Sequence, residues 1–351
     1  MMGRVVLYLF AGACGLGATA CGSSSQAGDG GSDAGADASG DGAAPSWGAS
    51  GLAGNVISVV AVDPKSPSTI FAGTSAASAM VGFFRSQDSG HTWSPVAGGL
   101  PAQSAQSIAI SPTQNIVIAS VGIATYRSTD GGNTWTESGN DPGALYNMLF
   151  HPSGTQVWTA TAQRGLYTST DGASWTNITS TGLPPLNTVD LGPLAHDGSK
   201  LYLGTGGQSV YVSADGGLTF TGPGAGIPQA FADSINALAA SPARPGVAFA
   251  LTLNDGLYRS NDSGATWSKV TVGNSTRRSG LIIDRRASST FYVSLDETQG
   301  GPGGLARSRD DGVTWSPFGP PGKPVSVIDE SPTDGTIWAG TIGDGIWRFG
   351  L

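Results

Sequence analysis

Residues 128–135 read STDGGNTW, and the same frame returns five more times along the chain. The copies are SQDSGHTW from Ser86, SADGGLTF from Ser213, SNDSGATW from Ser260 and SRDDGVTW from Ser308, with a version one residue shorter, STDGASW, from Ser169. Their first serines lie 42, 41, 44, 47 and 48 residues apart. A period of that size with strand-like flanks predicts a β-propeller, one four-stranded blade per repeat. The frame Ser-x-Asp-x-Gly-x-Thr-Trp has a mechanical reason. A carboxylate two residues past a Ser can fold back onto backbone N–H groups and set a tight turn. The Gly supplies the positive φ that other residues adopt only at a cost, and Thr-Trp opens a strand. The turn carboxylates are therefore Asp88, Asp130, Asp171, Asp215, Asp262 and Asp310. The aromatics Trp93, Trp135, Trp175, Phe220, Trp267 and Trp315 are expected to pack between blades at the rim.

This frame resembles the Asp-box, or BNR repeat, of bacterial sialidases, sortilin-type receptors, xyloglucanases and photosystem II assembly factors. The resemblance covers about residues 45–351. It implies that the box sits on the hairpin between the third and fourth strands of each blade, as an element of the fold and not of catalysis.

The expected fold is all-β, a single seven-bladed β-propeller. Innermost strands are predicted at 56–62, 107–110, 146–150, 189–191, 235–239, 280–284 and 325–328. The last blade offers only three strands, near 325–328, 337–341 and 346–349, and has no box. Its missing outer strand has a candidate at the other terminus, where Trp47 stands directly before the first strand of blade one. Pairing of the Trp47 region with 346–349 would close the ring and remove the exposed edges that invite aggregation.

The start of the chain reads as an export signal. Residues 1–20 give a short basic end and an apolar stretch too short to span a bilayer. The sequence Ala18-Thr19-Ala20-Cys21 resembles the lipobox of bacterial lipoproteins, which implies lipidation at Cys21 and an address at the outer membrane or cell surface. Residues 21–44 hold Gly, Ser, Ala and Asp without a large apolar side chain, a composition that cannot offset its own chain entropy. They are expected to be a disordered tether. The propeller is assigned to 45–351 and contains no cysteine, so neither a disulfide nor a Cys-based metal site is available to it.

Composition narrows the function. Gly numbers 55, more than twice the usual ~7%, and charged residues make up 12% against ~25%, which suits many tight turns between short strands. The net charge of −8 and the lack of a basic stripe exclude nucleic acid as a partner. His91, His151 and His196 are scattered, without the spacing of a zinc site or a hydrolase triad. No metal and no cofactor is expected.

In propellers, ligands meet the face made by the blade-to-blade connections and the turns between second and third strands. The binding candidates there are Asp141, Tyr146, Arg164, Asp233, Arg277, Arg278 and Asp344. Sialidase-type domains also need an entry motif before the first box, three arginines, a Tyr nucleophile and its Glu. The entry motif is absent, and Arg85, Arg127, Arg259 and Arg307 all fall in one slot just before their boxes, which marks them as structural. Xyloglucanase-type enzymes resemble the chain more in blade texture, but they place their carboxylates in a cleft between two propellers. For a glycosidase built on one propeller, the pair would be Asp255 with Asp296 or Glu297. Asp255 and Asp344 also lie in hairpin sequences, Asn-Asp-Gly and Gly-Asp-Gly, that need no function. The expected function is a non-catalytic, membrane-anchored scaffold, a monomer that binds a protein or glycan through one face. The alternative is a glycoside hydrolase or lyase acting on extracellular polysaccharide.

Overall fold

The structure, a computed structural model, describes residues 45–139, 143, 147–161, 164–186, 190–230, 234–272, 280–295 and 304–350. Seven antiparallel sheets stand around one axis. The innermost strands are Ile57–Val62, Ala105–Ile110, Met148–Phe150, Leu191–His196, Ile235–Ala240, Leu281–Ile283 and Val325–Glu330, each touching the next, with the last against the first. From each the chain steps outward through a second, third and fourth strand. The second strands, such as Ile70–Thr74, Val117–Val121 and Ala248–Thr252, are buried along their whole length, because neighbouring blades cover both of their faces. That is why they read as unbroken runs and not as alternations.

The ring closes as expected. Ser46–Gly51 pairs antiparallel with Ile346–Gly350, Trp47 opposite Phe349, and supplies the fourth strand of blade seven. The Trp47 indole N–H donates to the Phe318 carbonyl of blade six at 2.8 Å. Trp93 repeats this one blade on, donating to the Ser50 carbonyl at 2.8 Å.

Two expectations need correction, both in blade four. Its innermost strand lies at Leu191–His196 and not at 189–191. The sequence Gly192-Pro193 reads as a break, but a register shift between Leu191 and Leu194 takes the proline out of the ladder, where its missing N–H costs nothing. The fourth strand expected at Phe220 shrinks to a single bridge, Val212 to Thr221, so this sheet has three strands while the other six have four.

Each repeat turn is built as its residues dictate. In the second, the Ser128 hydroxyl donates to Asp130 at 2.7 Å and accepts the Gly132 N–H at 2.8 Å. The Thr134 N–H and hydroxyl both donate to the Asp130 carboxylate, at 2.9 and 2.6 Å. The Thr hydroxyl is the main reason the carboxylates of Asp88, Asp130, Asp215 and Asp310 lie below the usual range, with Asp215 and Asp310 pulled to about 2. The turn glycine has a second duty. A Cβ on Gly132 would lie 2.7 Å from the Phe71 ring, and one on Gly90 would lie 2.4 Å from Trp338. The second strand of each blade thus reaches under the turn of the next. The arginine slot bridges the same seams: Arg85 donates to the Gly131 carbonyl at 3.3 Å and Arg127 to the Asp171 carbonyl at 2.6 Å.

In the shortened third turn the Gly172 carbonyl accepts the Ser138 hydroxyl, and the Trp175 indole N–H is left without a partner. Trp135, Trp175, Phe220 and Trp267 are buried, as packing between blades requires.

Candidate functional site

The antiparallel topology sorts the connections onto two ends of the ring. One end, the box face, carries the repeat turns and the turns between first and second strands. The other, the loop face, carries the blade connections and the turns between second and third strands.

On the loop face a threonine ends the second strand in five blades and staples the turn that follows. The Thr161, Thr205, Thr252 and Thr341 hydroxyls donate to the carbonyls of Gly165, Ser209, Gly256 and Gly345 at 2.7–3.1 Å, and Thr74 does the same to Gly82 at 3.1 Å. Asp255 and Asp344 sit in these turns, each donating its N–H to the staple. Their carboxylates are engaged. Asp255 accepts Lys269 at 2.7 Å and the Tyr258 hydroxyl, and Lys269 first and Tyr258 second hold its carboxyl low. Asp344 accepts Lys323 at 2.9 Å. Asp255 is thereby a fixed anion, unsuited to donate a proton. Arg164 donates its backbone N–H to Thr161 at 3.1 Å, and its guanidinium lies beside Gly143 of the preceding connection. Asp141, Tyr146, Asp233, Arg277, Arg278, Asp296 and Glu297 lie outside the described residues, as do residues 1–20, Cys21 and the tether. The described candidates, Arg164, Asp255 and Asp344, stand in three different blades.

One carboxyl was missed. Asp190 stands at the loop-face end of the innermost strand of blade four, half-buried, and burial alone raises its carboxyl. Its backbone carbonyl accepts the Gly206 N–H at 2.8 Å. Other blades place Val56, Ser104, Ser234 or Pro324 at the corresponding point, each with its carbonyl accepting the matching N–H, so the available signal was a single change from a neutral to an acidic residue. The same face exposes aliphatic side chains at the turn tips: Met80, Ile123, Leu253 and Ile342, from blades one, two, five and seven.

A second acidic group, on the box face between blades six and seven, is closed to substrate. Asp284 and Glu330 are 6% and 1% exposed. Burial first pushes Glu330 up to about 7; the Arg285 N–H at 2.7 Å opposes this, and the Asp284 charge adds to it. Arg285 also donates to the Glu330 carbonyl at 2.6 Å and to Asp329 at 2.9 Å, while Arg286 donates to the Asp334 carbonyl at 2.7 Å. Blade seven has no repeat turn, and this Arg285–Arg286 clasp takes its place at the seam.

His151 and His196, far apart in sequence, meet on the box face with ring centroids 4.8 Å apart, and His196 stacks on Trp158. Both Nδ1 atoms accept turn N–H groups, from Ser153 and Gly198, so the pair braces its turns. Among the described residues no three His, Cys, Asp or Glu side chains gather in a metal-binding group.

No family model matches the chain. It is 28% identical over 247 residues to a xyloglucanase of Hypocrea jecorina, a stretch covering 67% of this chain and 27% of that protein, so it spans about a quarter of that relative. Its fold is similar to that of the GH74 xyloglucanase from Xanthomonas campestris, with a TM-score of 0.70 at 17% identity, covering 87% of this chain and 53% of the other. It is also similar to YCF48 from Cyanidioschyzon merolae, with a TM-score of 0.62 at 15% identity, covering 86% of this chain and 98% of the other. At these identities the two structures show the fold alone: a seven-bladed β-propeller.

Proposed function

We propose that this propeller works outside the cytoplasm on a plant-type polysaccharide, as a glycoside hydrolase whose substrate lies across the loop face. The observation that carries this reading is the sequence similarity to a xyloglucanase over 67% of the chain. Asp190 is the proposed proton donor, since a carboxyl raised by burial keeps its proton for the leaving oxygen. Asp296 and Glu297 stay the candidates for the second carboxylate. The test is release of reducing ends from xyloglucan, cellulose and pectin. Wild type is expected to cleave xyloglucan, and Asp190→Asn to lower kcat by about 10²–10⁴-fold. Absence of release from every substrate would sink the hydrolase reading.

A second reading, a non-catalytic scaffold for a protein or glycan, is favoured by two specific features. Asp255 is tied to Lys269, and the loop face exposes aliphatic side chains at its turn tips, Met80, Ile123, Leu253 and Ile342. Binding of xyloglucan without hydrolysis would select it. In either case we infer a lipid anchor at Cys21 and a monomeric propeller on a flexible tether. Cys21→Ser is expected to move the protein from the membrane fraction to the soluble one; an unchanged distribution would refute the anchor.

A further inference from the structure

A cavity of about 220 Å³ opens on the box face at the seam between blades seven and one. At ~30 Å³ per water in the liquid, it has room for about seven waters, or one molecule the size of a single sugar ring. It lies on the opposite end of the ring from the proposed substrate face and does not depend on that reading.

The lining combines donors, Arg348 and Trp338, with acceptors, His91 and Asp334. Arg348 donates one guanidinium nitrogen to the Ser89 carbonyl at 2.8 Å, which orients its planar fork and leaves the other donors open. Trp338 lines the cavity, is 1% exposed, and its indole N–H has no acceptor. Buried donors of that kind are almost always satisfied. The corresponding Trp158 in blade three donates to the Gly216 carbonyl of the next turn at 3.1 Å. The matching carbonyl for Trp338 is that of Ser89, and Arg348 has taken it. Blade three has Thr168 in the arginine slot, so no such competition arises there.

The acceptors face them. His91 sets Nδ1 against the Asp88 carbonyl, which can only accept, so Nδ1 carries the proton and Nε2 offers a lone pair. Asp334 accepts the Thr336 N–H at 3.0 Å and is also bonded by the Ser331 and Thr336 side chains, and a carboxylate with about four lone-pair sites has one left for a ligand. A ligand that complements this wall needs an anionic acceptor at one end, several hydroxyl donors at the other, and the volume of one ring.

We propose that the seam cavity binds a single sugar acid of the uronate type, its carboxylate on Arg348, its ring against Trp338, and its hydroxyls on Asp334 and His91. The experiment is titration of the ¹⁵N-labelled propeller with D-glucuronate, D-galacturonate and D-glucose, reading the Trp338 indole resonance. A saturable shift is expected with a uronate, with glucose binding at least tenfold more weakly because it lacks the carboxylate. His91→Ala and Asp334→Asn, both on exposed turns, should keep the melting temperature and each weaken uronate binding by about tenfold. The proposal is overturned if neither uronate moves the Trp338 resonance saturably, if glucose binds equally well, or if both variants bind as wild type does.

Discussion

A propeller lacking residues 45–51 is expected to melt on the order of 10 °C below the full chain and to aggregate on heating. The deleted strand supplies five paired positions to the edge of blade seven. It also carries Trp47, which packs on Phe318 and Phe349 at 5.5 Å from each ring. Its Ser50 serves the next blade too, donating to the Gly90 carbonyl at 2.7 Å and accepting the Trp93 indole. Loss of a fully buried Trp costs about 3–5 kcal/mol, and the partly buried Trp47 contributes a share of that, while the freed edge Ile346–Gly350 would expose unpaired backbone. Trp47→Ala should lose a smaller part of the same stability, since it keeps the ladder. Thermal melting by circular dichroism reads both variants. Equal melting of the truncated and full chains would mean that the ring does not depend on its N-terminal strand.

The second large effect is a pH dependence with its origin in Glu330. Its folded carboxyl sits at about 7 against an ordinary 4.5, so the folded state holds a proton that the unfolded chain releases. The stability this contributes is complete below 4.5 and is lost as pH rises through about 7. The loss amounts to about 3 kcal/mol, from the shift at ~1.4 kcal/mol per unit. Ionisation is opposed by burial and by Asp284, and is assisted by Arg285, with Arg286, Arg307, Asp329 and Tyr292 in the surrounding seam. The repeat-turn carboxylates run the other way. The pKa values of Asp215 and Asp310 are depressed, so their contribution is present above 3.8 and is lost as pH falls toward about 2. Stability should therefore peak in mildly acidic solution. Glu330→Gln keeps the shape but cannot ionise, and its urea midpoint should stay flat from pH 5 to pH 9 where the wild type declines. A variant that declines in parallel with wild type would remove Glu330 as the cause.

The fold was legible because the repeat is local. Ser, Asp, Gly and Thr of each turn bond to one another within eight residues, so their spacing alone announces the hairpin. Even closure could be read, since Trp47 stands where a repeat aromatic belongs. Contacts between blades were not legible. Arg285 and Arg286 look like a stray basic pair until Glu330, some 45 residues on, is placed beside them. His151 and His196 look scattered for the same reason. Blade four misled because a bulge hides Pro193 from the strand pattern. The candidate site was the least legible part. The residues that set it are single choices at strand ends, such as Asp190, and no repeat frames them. Asp255 was recognised both as a turn residue and as a possible acid, and its bond to Lys269 favours the turn.

The central functional claim is that the loop face engages a polysaccharide. Titration of the labelled propeller with a xyloglucan oligosaccharide tests it most directly. The expected result is saturable binding with shifts at Asp190, Arg164 and the Thr341–Gly345 turn, while the repeat turns around Asp130 and Asp262 stay unmoved. Absence of binding, or shifts confined to the box face, would contradict it.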